Sequence, residues 1–581
     1  MQTPRLLSLL VLALAAPGAA AGTLFVDAGL NTGANDGSSW ANAFQGSGGL
    51  QDALGVAVSG DDIYVKQGTY LPSQTGLRTD SIRMATGVGI YGGFLGTEAT
   101  VAERPPIGTA ETILSGDLAG NDGSGSLGDN SHHVVRGASA AASAILDGFT
   151  ITGGNANVGG GNNDRGGGLI TGGGAAVTIQ SCRFLTNRCT FGGGAVYISN
   201  SAPTFTDCTF ENNVGGAFGG AFDIAQAGAV QFDRCRFLGN SAARAGALEI
   251  FATSGVVVSN SLFTGNTATG GSGGGAIWMG NGGNTRIVNC SVIGNSSPNQ
   301  QNAGLRVQGG SPTVVSSIFY DNAGPGGSQN AANQIGGTTN VTYCIVEGGF
   351  AGVGNSGADP QLVGGGDFTP GAGSPALDAG NNAQVPAGIV LDLGGNPRFV
   401  DDPAADTGNG SAPLVDIGAI ERQGSTSVGT PYCFGDGTGA ACPCNNTGAA
   451  GAGCANGSFA TGSTLSASGT PSVANDSLVL SAVGTTPSSP GIFFQGDLQV
   501  NGGLGTPFGD GLRCAGNPVM RTPAVFADAS GNATSTVALA STLGINAGQT
   551  KRYQWWYRDA ALSLCGNGFN VSNGLEVVWQ P

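Results

Sequence analysis

Residues 191–213 read FGGGAVYISNSAPTFTDCTFENN, and residues 218–240 read FGGAFDIAQAGAVQFDRCRFLGN. Both run from a small-residue pair through a short apolar stretch to Cys, then Phe two positions on and Asn three beyond that. The theme continues in both directions. One column holds Cys182, Cys208, Cys235, Ser261, Cys290, Ser317 and Cys344, spaced 26, 27, 26, 29, 27 and 27 residues apart. A second holds Phe184, Phe210, Phe237, Phe263, Val292, Phe319 and Val346, and a third Asn187, Asn213, Asn240, Asn266, Asn295 and Asn322. A fourth, just after the small residues, holds Val196, Phe222, Leu248, Ile277 and Leu305.

A fixed period of this length is the signature of a stacked repeat. The runs are short, β-branched or aromatic, and punctuated by Gly and Asn, which are strand and turn signals. Helical spacing is absent from the repeats, and the fixed leucines of a leucine-rich repeat are missing. What remains is a parallel β-helix, one coil per repeat, right-handed by the usual crossover preference. No coil can bury its apolar side alone, so equivalent residues stack about 4.8 Å apart. The Cys/Ser and Phe columns point inward. The Asn column sits at a bend, where amides can bond the Asn above and below, and Gly supplies positive φ at tight corners. The five column cysteines are expected as buried thiols, because parallel Cβ vectors place sulfurs poorly for bridging.

Composition narrows the classes. The chain has 581 residues, 108 of them Gly, a net charge of −16, two histidines and two lysines, Lys66 and Lys551. Binding to nucleic acid or an anionic membrane by counterion release is excluded. His132 and His133 are adjacent and face opposite sides of an extended chain, which argues against a His-based triad or zinc site. Arg5 followed by LLSLLVLALAAPGAA, with Ala19-Ala20-Ala21 before Gly22, reads as a secretory signal peptide over 1–21. No later apolar run is long enough to span a bilayer, so a soluble, secreted or cell-surface protein is expected.

The expected fold is all-β. A right-handed parallel β-helix spans 22–360, with a short N-terminal capping helix within 48–58 (Leu50, Leu54 and Ala57 on one side). The first coil follows at GDDIYVKQGTY, residues 60–70. A cap over 361–423 closes the far end, a linker spans 424–430, and a cysteine-containing, sandwich-like antiparallel module fills 431–581. Cys433, Cys442, Cys444, Cys454, Cys514 and Cys565 there fit a disulfide framework in an exported protein, with Cys514–Cys565 the favoured long-range bridge.

The stretches GDDIYVKQGTY, ILSGDLAGND and AILDGFTITGGNAN, with the Gly-Gly-Ala repeats, resemble bacterial secreted β-helix proteins of the pectate-lyase-like superfamily, including its polymorphic-outer-membrane-protein-like group. SPALDAGNN with VDIGAIE resembles the C-terminal end of choice-of-anchor chains. YCFGDGTGAACPCNNTGAAGAGC and the later YQWWYRDAAL resemble a C-terminal module of planctomycete-type secreted proteins. The resemblance implies the architecture. Family members include carbohydrate lyases, hydrolases and adhesins.

Alternation places Ile170, Tyr197, Asp223, Glu249, Trp278 and Arg306 on the outer face of one sheet. Carboxylates flanked by aromatics suit an extended sugar chain, so Tyr197 and Trp278 are candidate glycan contacts. Asp223 and Glu249 are candidate catalytic carboxylates, with Arg306 or Arg244 as the base a β-helix lyase would need. For Ca²⁺, two oxygen-rich loops stand out. One is GDLAGNDGSGSLGDN, with Asp117, Asn121, Asp122, Asp129 and Asn130. The other is VDDPAADTGNG, with Asp401, Asp402 and Asp406, near Asp416 and Glu421. The run Tyr553, Trp555, Trp556 and Tyr557 reads as a strand with one aromatic face in the core. Together these favour a non-catalytic protein that binds extracellular polysaccharide or matrix as an adhesin or scaffold. The alternatives are a polysaccharide lyase or glycoside hydrolase acting on polyuronate-type chains, and a rigid spacer.

Overall fold

A computed structural model of the chain describes residues 21–137, 143–328, 330–337, 340–402, 405–423, 428–474, 476–560 and 562–580. The expected signal peptide, up to residue 20, and residues 424–427 of the expected linker lie outside the described residues. The chain divides near residue 422 into two units.

The first unit is a parallel β-helix. Among the described residues it carries three long parallel sheets of 12, 10 and 9 strands. Register holds from coil to coil: Phe184 pairs with Phe210, Phe210 with Phe237 and Phe237 with Phe263. The rings stack at centroid distances of 5.0, 5.2 and 4.2 Å. The Cys, Phe and second-strand columns all enter one apolar core. Each buried Phe contributes about 2–3 kcal/mol of transfer free energy. Cys182, Cys189, Cys208, Cys235, Cys290 and Cys344 are buried and unbridged. Burial pushes the thiols of Cys182, Cys189, Cys290 and Cys344 up to about 12.

The asparagines form a continuous ladder. Asn213 Nδ2 donates to Asn240 Oδ1 at 3.0 Å, Asn240 to Asn266 at 2.9 Å and Asn266 to Asn295 at 2.8 Å. The second Nδ2 hydrogen of Asn240 goes to the Phe210 carbonyl at 2.9 Å. Gln334 ends the ladder by accepting from Asn322 at 2.7 Å. Each amide thus satisfies buried corner backbone that no strand could reach.

Not every corner needs glycine. The residue before each Cys/Ser position has positive φ throughout: Ser181, Asp207, Arg234, Asn260, Asn289, Ser316 and Tyr343, between 46° and 54°. Such a conformation costs a non-Gly residue about 1–2 kcal/mol. It recurs because the next residue, the inward Cys or Ser, must turn into the core.

Two placements differ from the sequence reading. Strand Thr23–Asp27 already pairs with Asp62–Lys66, so the helix Gly49–Val56 follows the first rung rather than preceding it. Leu50 and Ala53 anchor that helix in the coil core. The stretch 361–423 does not cover the end of the stack. The end is closed by 347–357, where Asn355 Oδ1 accepts from Cys344 N at 3.0 Å and Phe350 packs on the core. Residues 376–421 instead lie along the flank as a strap. Arg236 donates to the Leu393 carbonyl, Arg286 to Gln384, and Ser291 Oγ accepts from Ala419 N. The reason is apolar: Leu262, Ile318 and Ile345 point out of the tube, and Leu393, Ala419, Ala376 and Ile417 cover them.

The second unit is antiparallel. Its main sheet runs Thr430–Tyr432, Gly574–Val578, Thr550–Arg558, Pro490–Gln499, Ala515–Arg521, and a smaller three-stranded sheet accompanies it. Tyr553, Trp555 and Tyr557 face its core, and Trp556 the opposite side. The bridges are Cys433–Cys514, Cys442–Cys454 and Cys444–Cys565, which overturns the favoured Cys514–Cys565 pair. Cys514 opens onto the strand ending at Tyr432, whose hydroxyl donates to the Cys514 carbonyl at 3.1 Å. Cys565 sits in a loop gathered around the Asp510 carboxylate.

Candidate functional site

Ile170, Tyr197, Asp223, Glu249, Trp278 and Arg306 stand in register on consecutive strands. Their side chains leave the tube, yet the column is not solvated: Tyr197 is 5%, Asp223 4%, Glu249 1% and Trp278 2% exposed. The cover comes from the neighbouring corner, where Arg165, Gly192, Phe218 and Arg244 pair in sequence. Arg165 lies over the Phe191 ring at 4.1 Å and donates to the Tyr197 hydroxyl at 2.9 Å. Arg244 is sandwiched between Phe218 at 4.2 Å and Trp278 at 3.9 Å. It grips Glu249 with two donors, Nε to Oε2 at 3.2 Å and Nη2 to Oε1. A Cβ at Gly192 would meet Asp223 Oδ2 at 2.0 Å, so a side chain there would displace that carboxylate.

These groups line a cavity of about 430 Å³ whose polar residues include Arg165, Asp223, Arg244 and Glu249. Asp223 feels both guanidinium charges but accepts no hydrogen bond among the described residues; burial outweighs those charges and pushes its carboxyl up to about 6. Burial also pushes Glu249 up to about 7; the Arg244 bond opposes this and the Asp223 charge adds to it. The site therefore offers one open acceptor, two fixed cations and aromatic walls.

Of the sequence candidates, Tyr197, Asp223 and Glu249 meet at the cavity with Arg244. Trp278 stacks behind Arg244, and Arg306 pairs with Trp278 outside the cavity lining. Arg165, Phe191 and Phe218 escaped the sequence reading. Their signal was available: Arg165, Gly192, Phe218 and Arg244 repeat at 27, 26 and 26 residues.

The two acidic loops behave differently. In 116–130, Asp117 accepts from the Asn121 and Asp122 amides at 3.0 Å each, and Asp129 from Ala119 N at 3.0 Å. Those carboxylates fold their own loop. Asp122 Oδ1 and Asn130 Oδ1 stay unpartnered, but no three carboxylates converge there among the described residues. On the strap, Asp402 is claimed by Arg422, while Asp416 and Glu421 bind strap backbone. This removes Asp402 from the expected ligand set. Asp401 and Asp406 converge instead with Asp378, which the sequence reading had not singled out.

Residues 219–364 match the family model of the right-handed β-helix region. The coils of this β-helix continue with the same register before the matched residues. No curated protein matches the chain. Among solved structures, the pectate lyase Pel9A is similar at 13% identity and a TM-score of 0.36, covering 69% of this chain and 97% of that one.

Proposed function

We propose that the chain is a secreted or cell-surface β-helix protein, of the polymorphic-outer-membrane-protein-like and choice-of-anchor kind, that binds glycan chains at the cavity around Asp223. One observation carries the reading. A nearly buried carboxylate that accepts no hydrogen bond among the described residues sits at an open cavity between two ring-stacked guanidinium groups. A buried acceptor without a donor is costly, and a sugar hydroxyl supplies the donor. The Phe191 and Phe218 rings offer apolar faces to sugar C–H groups, and Arg165 and Arg244 offer donors to ring oxygens or carboxylates. Three disulfides in the second unit support an oxidising compartment, with that module serving attachment or display.

A glycan array on the full chain, run beside Asp223→Ala, tests this. Binding that Asp223→Ala abolishes supports the site. Binding that Asp223→Ala and Arg165→Ala leave unchanged sinks it, and no binding at all favours a spacer.

A second reading, a glycoside hydrolase, draws on the register pair Asp223 and Glu249. Both carboxyls are pushed up, so one can hold a proton while the other is ionised. Release of reducing sugar, lost in Asp223→Asn and Glu249→Gln, would favour it. The lyase reading is weaker, because of the two candidate bases Arg244 is tied to Glu249 and Arg306 stands outside the cavity lining.

A further inference from the structure

The strap has an unresolved charge problem of its own. Its ALDAG segment, 376–380, places Asp378 with φ of 47° and no solvent exposure. Asp378 Oδ2 accepts from Asp402 N at 3.1 Å, but Oδ1 has no partner among the described residues. One carboxylate oxygen from each of Asp378, Asp401 and Asp406 lies within 4.8 Å of the others. Asp401 and Asp406 are exposed, so the cluster opens to solvent on one side and ends in a fully buried carboxylate on the other. The nearby cations are committed. Arg422 holds Asp402; Arg398 donates to the carbonyls of Asp416 and Gly418 and pairs with Glu421. Burial, with the like charges of Asp416, Asp401 and Asp406 added, pushes the Asp378 carboxyl up to about 6.

Two independent observations thus point the same way. Three carboxylates converge, and the deepest has an oxygen that no donor in the described chain reaches. Oxygens mutually within 4.8 Å lie within about 2.8 Å of a common centre, close to the calcium–oxygen bond length of about 2.4 Å. The ligands are all oxygen and come from a loop and a turn, a flexible set that suits calcium better than the rigid octahedron of magnesium.

We propose that Asp378, Asp401 and Asp406 bind one calcium ion, with water completing the shell. The ion joins the loop carrying Asp401 and Asp406 to the ALDAG turn, where Thr407 N and Gly408 N already donate to the Asp378 carbonyl at 3.1 and 3.0 Å. Because the strap covers outward Leu262, Ile318 and Ile345, the ion fastens the cover of the coil flank. This inference is independent of the glycan reading, since the two sites share no residue.

Calorimetric titration of the full chain, stripped with EDTA and dialysed, tests it with calcium chloride alone. The expected result is one equivalent bound with a Kd on the order of 10⁻⁴ M. The double variant Asp401→Asn/Asp406→Asn changes two exposed residues, so the fold should survive, with circular dichroism as the check. It should lose that equivalent, whereas Asp117→Asn/Asp129→Asn should keep it. Absence of binding by the wild type overturns the site, as does undiminished binding by the double variant. Equal affinity for magnesium chloride overturns the calcium assignment.

Discussion

The coils and the C-terminal unit solve the same problem by opposite means. The coils contain six cysteines and no bridge among the described residues; the second unit contains six and ties all of them. In the coils, each residue meets a near-copy of itself one turn away, so stacking phenylalanines and asparagine amides supply order that accumulates with length. The second unit has one core around Trp555, Trp579, Tyr553 and Phe493 and long irregular loops. There the cross-links confine an unfolded chain that the core alone would not hold. Repetition replaces covalent closure where the backbone environment recurs, and fails to where it does not.

The largest effect should come from reduction. Each disulfide is worth about 2–5 kcal/mol, and three together rival the total stability of a small domain. Dithiothreitol should abolish the melting transition of the second unit and leave that of the coils in place. Scanning calorimetry with and without reductant decides it; a common downward shift of both transitions would break the contrast.

Phe210→Ala should strike the other side. The ring contacts Phe184, Phe237, Phe205 and Phe222, so its loss opens a cavity in the middle of the stack. The expected cost is about 3–5 kcal/mol, confined to the coil transition.

The fold was legible where physics repeats. The Cys, Phe and Asn columns could be counted out because each recurs in the same environment about one coil later. The strap was not legible: Arg236 meets Leu393 across 157 residues, and no period announces that contact. Bridge pairing was equally hidden, since six cysteines of one type carry no mark of their partners. The candidate site was half visible. Alternation set Asp223 and Glu249 outside the tube, but the covering Arg165, Phe191 and Phe218 come from the corner, where no alternation applies. Asp378 stood in the quoted SPALDAGNN, yet only the fold of the strap brings it to Asp401 and Asp406.

A third effect sits in that covered column. Below about pH 4.5 the Glu249 carboxyl is protonated in both the folded and the unfolded chain. Above about 7 it is ionised in both, and the folded chain bears the cost of a buried charge. Between these limits only the unfolded chain releases the proton, so raising the pH favours unfolding, by on the order of 3 kcal/mol in full. Glu249→Gln mimics the protonated form. It should melt higher than the wild type at pH 8, and the gap should close as the pH falls to 4.5. A gap independent of pH would show that Arg244 keeps Glu249 ionised throughout, placing the column among ordinary ion pairs.

The smallest effect is the most discriminating for the thiol column. Cys235 Sγ lies near the Phe205 and Asp233 carbonyls at 3.5 Å, and one coil on Ser261 Oγ accepts from Cys235 N at 3.1 Å while donating to the Ser259 carbonyl at 2.6 Å. A serine at 235 would find the same carbonyls and lose only the packing of a larger, softer atom. Cys235→Ser should therefore cost less than about 1.5 kcal/mol. The corresponding change in the second unit, Cys514→Ser, breaks the bridge to Cys433 and should cost about 2–5 kcal/mol. The two substitutions are chemically identical, so the difference between their melting shifts isolates what stacking does in one unit and cross-linking in the other. Equal shifts would mean that the column cysteines do more than fill space.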